Sequence, residues 1–157
     1  MNCPEKKHIL LITTGGTIAS MPGGQGLEPR RSDVLERELN QLRTYYHISI
    51  QDLMCLDSSN IQPEEWQRIA EKVAELIAEG WAEGVILTHG TDTMAYTAAA
   101  LSYLVQQGPK PIVLTGSQKP INMDITDSKT NLLDSFVCAC DGRIPGVQVV
   151  FGGAGIL

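Results

Sequence analysis

Hydroxyl side chains on a glycine turn are the first feature of this sequence that could do chemistry. The run Thr13-Thr14-Gly15-Gly16-Thr17 follows a short apolar segment, His8 to Ile12, whose branched residues predict a buried strand. Two glycines end that strand and let the backbone come close to a ligand. The turn can therefore expose a nucleophile, although an ordinary tight turn is the commoner outcome for a single Gly-Gly pair.

Nucleotide and nucleic-acid binding are disfavoured. The glycines are followed neither by the Lys-Ser/Thr pair of a P-loop nor by a third glycine at dinucleotide-binding spacing. A net charge of −6 argues against a nucleic-acid surface, which needs clustered Lys and Arg. No apolar stretch approaches the roughly 20 residues that span a membrane, and Met1 to Lys7 has no apolar signal core. We therefore expect a cytoplasmic protein that binds neither nucleic acid nor membrane.

Two further polar clusters follow predicted strands. Asp57-Ser58-Ser59 comes after a weak strand, His47 to Leu53, and His89-Gly90-Thr91-Asp92-Thr93 follows Val85 to Leu87. Each cluster has a structural explanation by itself, as a polar turn before the helix that begins at Pro63 and as a helix cap. His89 is interpreted as a structural hydrogen-bonding residue and not as a general base.

Alternation of strands and helices predicts an α/β fold with a flavodoxin-like, doubly wound and largely parallel sheet in three α/β/α layers. The carboxyl ends of parallel strands share one edge of a sheet, where ligands usually bind. We therefore expect Thr14, Ser58, Thr91 and Ser117 to face one crevice. The remaining predicted elements are helices from Ser32 to about Arg43, from Pro63 to Gly80, from near Asp92 and over Ser128 to Cys140, and strands over Pro111 to Leu114 and Val147 to Phe151.

Four local predictions complete the map. The segment from Ser20 to Pro29 holds three glycines and two prolines, which predicts a mobile flap or an irregular hairpin. Ser32 is predicted to cap the helix after it. Helical spacing places Leu104 on the buried side of its helix. The four cysteines, which are Cys3, Cys55, Cys138 and Cys140, lack metal-site spacing and are expected to be reduced thiols.

Taken together, the three clusters resemble the bacterial-type L-asparaginase family, and its cytoplasmic, type I branch in particular. The matching motifs are TGGTIA from Thr14 to Ala19, DSS from Asp57 to Ser59 and HGTDTM from His89 to Met94. The resemblance extends over essentially the whole chain, including the segment from Leu114 to Gln118. It identifies residues 1–157 as an N-terminal asparaginase domain, with a C-terminal domain expected beyond it.

This resemblance implies a role for each matching residue. Thr14 is the nucleophile that attacks the side-chain amide carbon of L-asparagine, expels ammonia and forms an acyl-enzyme that water hydrolyses. Thr91 occupies the second catalytic threonine position. Asp92 receives the substrate's α-ammonium group, and Ser58 and Ser59, with backbone near Asp57, hold its α-carboxylate. The resemblance implies no metal and no cofactor, and it implies a homodimer or homotetramer for the full-length protein.

Two departures from the family pattern bear on activity. Leu27 stands in the flap where the family often carries a tyrosine, and the family's catalytic lysine is expected beyond Leu157. We therefore expect the parent to be an enzyme and the chain alone to be weakly active or inactive. Two alternatives stay open, namely the asparaginase-like subunit of a tRNA-dependent amidotransferase and a non-catalytic amino-acid-binding module.

Overall fold

Six strands form one sheet in the computed structural model, which describes residues 5–24, 26–105 and 109–156. The sheet order is β4-β1-β5-β6-β7-β8, and β1, β4, β5, β6 and β7 are parallel. Numbered among themselves, the five parallel strands have the 2-1-3-4-5 order of a flavodoxin-like sheet. The strands of the sheet are β1 (His8–Gly15), β4 (His47–Leu56), β5 (Gly84–Thr88), β6 (Pro111–Thr115), β7 (Gly146–Phe151) and β8 (Ala154–Ile156).

Helices cover both faces of the sheet, which confirms the predicted α/β/α layers. On one face, Leu39 and Phe136 come from the two helices and pack with Ile9 and Ile86 of the strands. On the other face, Ile69 and Leu101 pack with the alternate strand residues, whose side chains point to that side of the sheet. The β5 and β6 strands are buried along their whole length, as expected for central parallel strands. The helices are α1 (Glu36–Leu42), α2 (Pro63–Ala78), α3 (Met94–Leu104) and α4 (Ser128–Cys140).

The segment predicted as a flap or hairpin is a hairpin. Strands β2 (Ser20–Gly23) and β3 (Gly26–Pro29) pair antiparallel and form a separate two-stranded sheet. A short 3-10 turn, Thr17–Ala19, joins it to the first glycine motif. The hairpin therefore begins directly beside the turn that carries Thr14.

Two local predictions need correction, and one short strand was not predicted. Ser32 does not cap α1, because it begins a 3-10 turn and its hydroxyl donates to Asp52 Oδ2 at 3.1 Å. Helix α3 begins at Met94, two residues after Asp92, which agrees with the predicted start near Asp92. Leu104, predicted to be buried, is 51% exposed because it is the last residue of α3. Strand β8 was not predicted, although a Gly-Gly pair with both φ angles positive, Gly152 and Gly153, is a signature of a tight hairpin.

In the described part of the chain, the cysteines, the potential metal ligands and the helices provide no disulfide, no metal site and no membrane span. Cys55, Cys138 and Cys140 are free thiols, and Cys3 lies outside the described residues. Within those residues no three His, Cys, Asp or Glu side chains are grouped to hold a metal ion. No helix in the described part of the chain is both long and apolar enough to cross a membrane.

Candidate active site

A small polar pocket lies where the strand order reverses, between the ends of β1 and β5. Its volume is about 160 Å³. Doubly wound sheets bind ligands at this switch point, and pockets for drug-sized ligands are larger, roughly 300 Å³ or more. The pocket therefore suits a ligand the size of an amino acid. It is lined by Gly16, Thr17, Ser20, Leu27, Asp57, Ser58, Gly90, Thr91 and Asp92.

The pocket brings the three motifs together. Asp57, Ser58, Thr91 and Asp92, all predicted as site residues, line it. The Thr93 hydroxyl donates to the Ser58 carbonyl at 2.8 Å and so joins the second motif to the third. This bond fixes the distance between the two loops that face each other across the pocket.

Two glycines allow the first and third motifs to touch. Gly16 has φ +85°, and an added Cβ there would lie 2.6 Å from the backbone N of Gly90. A Cβ on Gly90 would collide with the Ser58 hydroxyl. Both positions consequently require glycine, because any side chain would push the motifs apart.

Thr14 is buried and is not among the lining residues. It is 2% exposed, and its hydroxyl donates to the Thr88 carbonyl at 2.7 Å. A carbonyl oxygen accepts a hydrogen bond but does not take up the proton. Thr14 must therefore release this bond and rotate before its oxygen can attack a ligand in the pocket.

Ser59 and Ser117, two further predicted residues, also lie outside the lining of the pocket. Ser59 is exposed, and both its backbone N–H and its hydroxyl donate to Asp57 Oδ1, at 3.0 and 2.8 Å. These bonds hold the pKa of Asp57 below its ordinary value, so this carboxylate is ionised at neutral pH. Ser117 does not reach the crevice, since it is buried and its hydroxyl donates to the Lys119 carbonyl at 2.6 Å. Loop hydrogen bonds, which spacing does not reveal, decide both positions.

His89 is a structural residue, as the sequence predicts. Its Nδ1 lies 2.7 Å from the Gly90 carbonyl, which can only accept, so Nδ1 carries the proton. Nε2 lies 2.9 Å from the Thr97 hydroxyl, which itself accepts from Trp66 Nε1 at 2.9 Å. Burial lowers the pKa of His89 further than the Gly90 bond raises it, so the ring is neutral at pH 7.

Sequence reasoning did not single out Thr17 or Ser20, which also line the pocket. The Ser20 hydroxyl donates to the Gly16 carbonyl at 2.8 Å. The available signal was position, because both residues lie within four places of the glycine pair and Ser20 begins the hairpin. A turn that approaches a ligand brings its neighbours with it.

Charge and hydrogen-bonding capacity define what the pocket can hold. Asp57 and Asp92 are the ionisable groups, and no basic side chain occurs among the described residues that line it. Hydroxyls of Thr17, Ser58 and Thr91 add neutral donors. A small ligand with a positive group toward a carboxylate and an oxygen toward the hydroxyls matches this lining.

Comparison with known proteins gives a consistent picture. The family profile described as asparaginase, N-terminal, matches residues 8–156. L-asparaginase from Thermococcus kodakarensis is 39% identical over 145 residues, covering 91% of this chain and 43% of that protein. A glutamyl-tRNA(Gln) amidotransferase subunit from Methanobrevibacter smithii is 36% identical over 140 residues, covering 87% and 31% respectively.

A solved structure agrees with these matches. The probable cytoplasmic L-asparaginase from Campylobacter jejuni superimposes with a TM-score of 0.85 and 34% identity, covering 96% of this chain and 47% of that one. The chain thus spans less than half the length of each of these relatives.

Proposed function

The chain belongs to the asparaginase family, whose N-terminal domain it matches over residues 8–156, and from this membership we propose that its parent protein hydrolyses L-asparagine to L-aspartate and ammonia with Thr14 as nucleophile. One observation carries the proposal: the pocket at the switch point is lined by residues of all three family motifs. We further propose that residues 1–157 form a single N-terminal domain of that enzyme. The T. kodakarensis relative bears the name L-asparaginase, which supports this substrate.

The proposed reaction assigns one task to each group. Asp92, exposed at the pocket wall, receives the α-ammonium group, and Ser58 holds the α-carboxylate. Thr14 Oγ1 bonds to the side-chain amide carbon, the C–N bond breaks, and the amide nitrogen leaves as ammonia with the proton that the Thr14 hydroxyl gives up. Water then cleaves the Thr14 ester to release aspartate. Backbone N–H groups of the glycine turns stabilise the oxyanion in both steps.

The other predicted residues take supporting roles. Thr91, half-buried on the pocket wall, is the second catalytic threonine. Ser59 acts on the substrate only indirectly, by orienting the Asp57 carboxylate that it hydrogen-bonds. Leu27 closes the hairpin side of the pocket as an apolar wall.

The test compares two buried threonines in the full-length protein. Thr14 and Thr115 each lie near the carboxyl end of a strand and donate to a backbone carbonyl, at 2.7 and 2.8 Å. Thr14→Val should lower kcat for ammonia release at least about 100-fold, because it removes the nucleophile. Thr115→Val should keep kcat within about threefold of the wild type. Both variants should lose about 1 kcal/mol of unfolding free energy, because each removes one buried hydrogen bond. Unchanged kcat in Thr14→Val, or a full-length protein that releases no ammonia, would contradict the proposal.

A second candidate function rests on the match to the M. smithii amidotransferase subunit. In that role the same site would release ammonia for a partner subunit. Co-purification of the full-length protein with a stable amidotransferase partner would favour it, whereas turnover of free asparagine by the isolated protein favours asparaginase. Aspartate binding with no turnover in either setting would instead indicate an amino-acid-binding module.

Assembly and location are proposed on narrower grounds. We propose a cytoplasmic location, since the C. jejuni relative is named as cytoplasmic. We also propose that the full-length protein is a homodimer or homotetramer. Large apolar side chains are exposed on α3 and β8, namely Tyr96, Tyr103 and Ile156, which suits burial against another surface. Light scattering of the full-length protein measures the assembly directly.

A further inference from the structure

We propose that Asp52 is a positioning residue whose carboxylate joins the strand that carries Thr14 to the returning end of the β2–β3 hairpin. Its importance for catalysis rests on the proposed function, but the contact itself does not. Asp52 lies on β4, outside all three motifs. Asp52 does not line the pocket, and it would act through the residues that it holds.

One carboxylate accepts three hydrogen bonds from two distant parts of the chain. Asp52 Oδ1 accepts from the Thr13 hydroxyl at 2.5 Å and from the Ser32 N–H at 3.0 Å. Oδ2 accepts from the Ser32 hydroxyl at 3.1 Å. Thr13 and Ser32 are both buried, so removal of the carboxylate deprives buried donors of the acceptor that they have in the structure.

Strand register places this contact at the last regular step before Thr14. Thr13 pairs with Asp52 in the β1–β4 ladder, whereas Gly15 pairs with Leu56. The ladder is therefore irregular between these pairs, and Thr14 lies within the irregular step. Since the backbone pairing loses its register here, the Thr13–Asp52 bond is the side-chain contact that fixes where the irregularity begins.

The other end of the contact holds the root of the hairpin. The start of the hairpin is fixed by the Ser20 hydroxyl on the Gly16 carbonyl. The end of the hairpin is fixed by the Arg30 N–H, which donates to the Ala19 carbonyl at 2.7 Å. Two residues later, the Ser32 N–H donates to the Asp52 carboxylate. Leu27 lies between these two roots and lines the pocket. Asp52 thereby links the position of the Leu27 wall to that of the Thr14 turn.

Electrostatics keep the carboxylate in the accepting form. Desolvation raises the pKa of Asp52, but hydrogen bonds from Thr13 and Ser32, with the nearby Arg31 guanidinium, outweigh it and leave the pKa below its ordinary value. Asp52 is consequently an anion at neutral pH. Charge-assisted bonds of this kind are stronger than neutral ones.

Hydrogen exchange and kinetics of the full-length protein test the proposal together. The variants are Asp52→Ala, Asp52→Asn, which keeps one oxygen acceptor, and the control Asp33→Asn. Asp33 and Asp52 both line an open cleft beside the hairpin root, distinct from the proposed substrate pocket. In Asp52→Ala, amide exchange over residues 20–32 should be at least about tenfold faster, with exchange in α4 unchanged, since opening would be confined to the hairpin root. Asp52→Asn should fall between this variant and the wild type, and the control should match the wild type.

The kinetic measurement separates positioning from a general loss of stability. In Asp52→Ala, kcat for asparagine should fall about tenfold and KM should rise at least about threefold, because both the turn and the wall move. Equal exchange over residues 20–32 in Asp52→Ala and wild type would overturn the proposal, whatever the activity. If Asp52→Ala does not fold, Asp52→Asn decides by the same two readouts. A wild-type protein without asparaginase activity would refute the proposed function and leave the exchange result to decide the contact.

Discussion

The pocket has a floor of strand ends and a rim of loops, and these two regions are built differently. The floor is the layer of strand ends at and directly beneath the pocket surface, formed by Thr14, Gly15, Gly16, His89 and Gly90, and it is buried throughout. Of these residues only Gly16 and Gly90 line the pocket itself. The rim, formed by Leu27, Asp57, Thr91 and Asp92, is exposed or half-buried. On the floor, the Thr14 hydroxyl donates across the sheet to the Thr88 carbonyl. On the rim, the Asp57 carboxylate accepts from Ser59, which is two residues further along the chain.

This difference separates two kinds of consequence. A buried floor in which backbones touch has no room to adjust, so changes there cost folding free energy. An exposed rim is held by local bonds and faces solvent, so changes there alter ligand affinity and leave stability nearly intact. Three substitutions, in order of decreasing effect, test the separation.

Gly16→Ala should have the largest effect. The added Cβ would lie 2.6 Å from Gly90 N at a residue with φ +85°, so we expect a loss of about 3 kcal/mol or more in unfolding free energy. Chemical denaturation measures it. Gly142→Ala is the matched control, because its added Cβ meets nothing within 4 Å. A loss below about 1 kcal/mol in Gly16→Ala would show that the floor can adjust.

Asp92→Asn should have an intermediate effect, confined to binding. Loss of the charge proposed to receive the α-ammonium group should weaken L-aspartate binding at least tenfold, about 1.4 kcal/mol. Unfolding free energy should stay within about 0.5 kcal/mol, because Asp92 is exposed. Calorimetry and denaturation of the same preparation give both values. Asp124→Asn, an exposed carboxylate outside the pocket, controls for net charge, and equal affinity losses in the two variants would refute a specific role for Asp92.

Thr88→Val should have the smallest effect and the opposite sign. The Thr88 hydroxyl is buried and makes no hydrogen bond to the described residues, so its removal should leave stability unchanged or raise it by up to about 1 kcal/mol. Thr115→Val removes a hydroxyl that donates to Val150 and should lose about 1 kcal/mol. Thermal or chemical denaturation compares them. A destabilised Thr88→Val would indicate that a buried water reaches the floor.

Local pattern accounts for much of what was predicted correctly. Branched apolar runs gave β1, β5 and β6, and Pro63 with the helical spacing after it gave α2. Predictions were wrong where the position of an element mattered more than its type. Leu104 has the spacing of a buried residue, yet helical spacing gives only direction about the axis. Whether the helix still contacts the sheet at its last residue depends on the tertiary arrangement.

The candidate site shows the same division. Its motifs could be identified from the sequence, because a turn that approaches a ligand needs glycine and because the strand ends of a parallel sheet meet at one edge. Ser117 was predicted to face the crevice from its place at a strand end and Ser59 to hold substrate from the family resemblance, but in the structure their hydroxyls donate to Lys119 and Asp57. Hydroxyls are satisfied by whichever acceptor the loop places nearby. Ser32 likewise donates to Asp52 instead of capping a helix.

The sequence by itself determined the family, the layer architecture and the three segments that meet at the switch point, because strand pattern and glycine turns are local properties. Only the tertiary structure decided that Thr14 is buried on the Thr88 carbonyl and that Asp52 links Thr13 to Ser32 across the hairpin root. Such contacts join residues 20 to 74 positions apart. They depend on how strands align in register and on which donors burial leaves without water, and neither is encoded in any one segment.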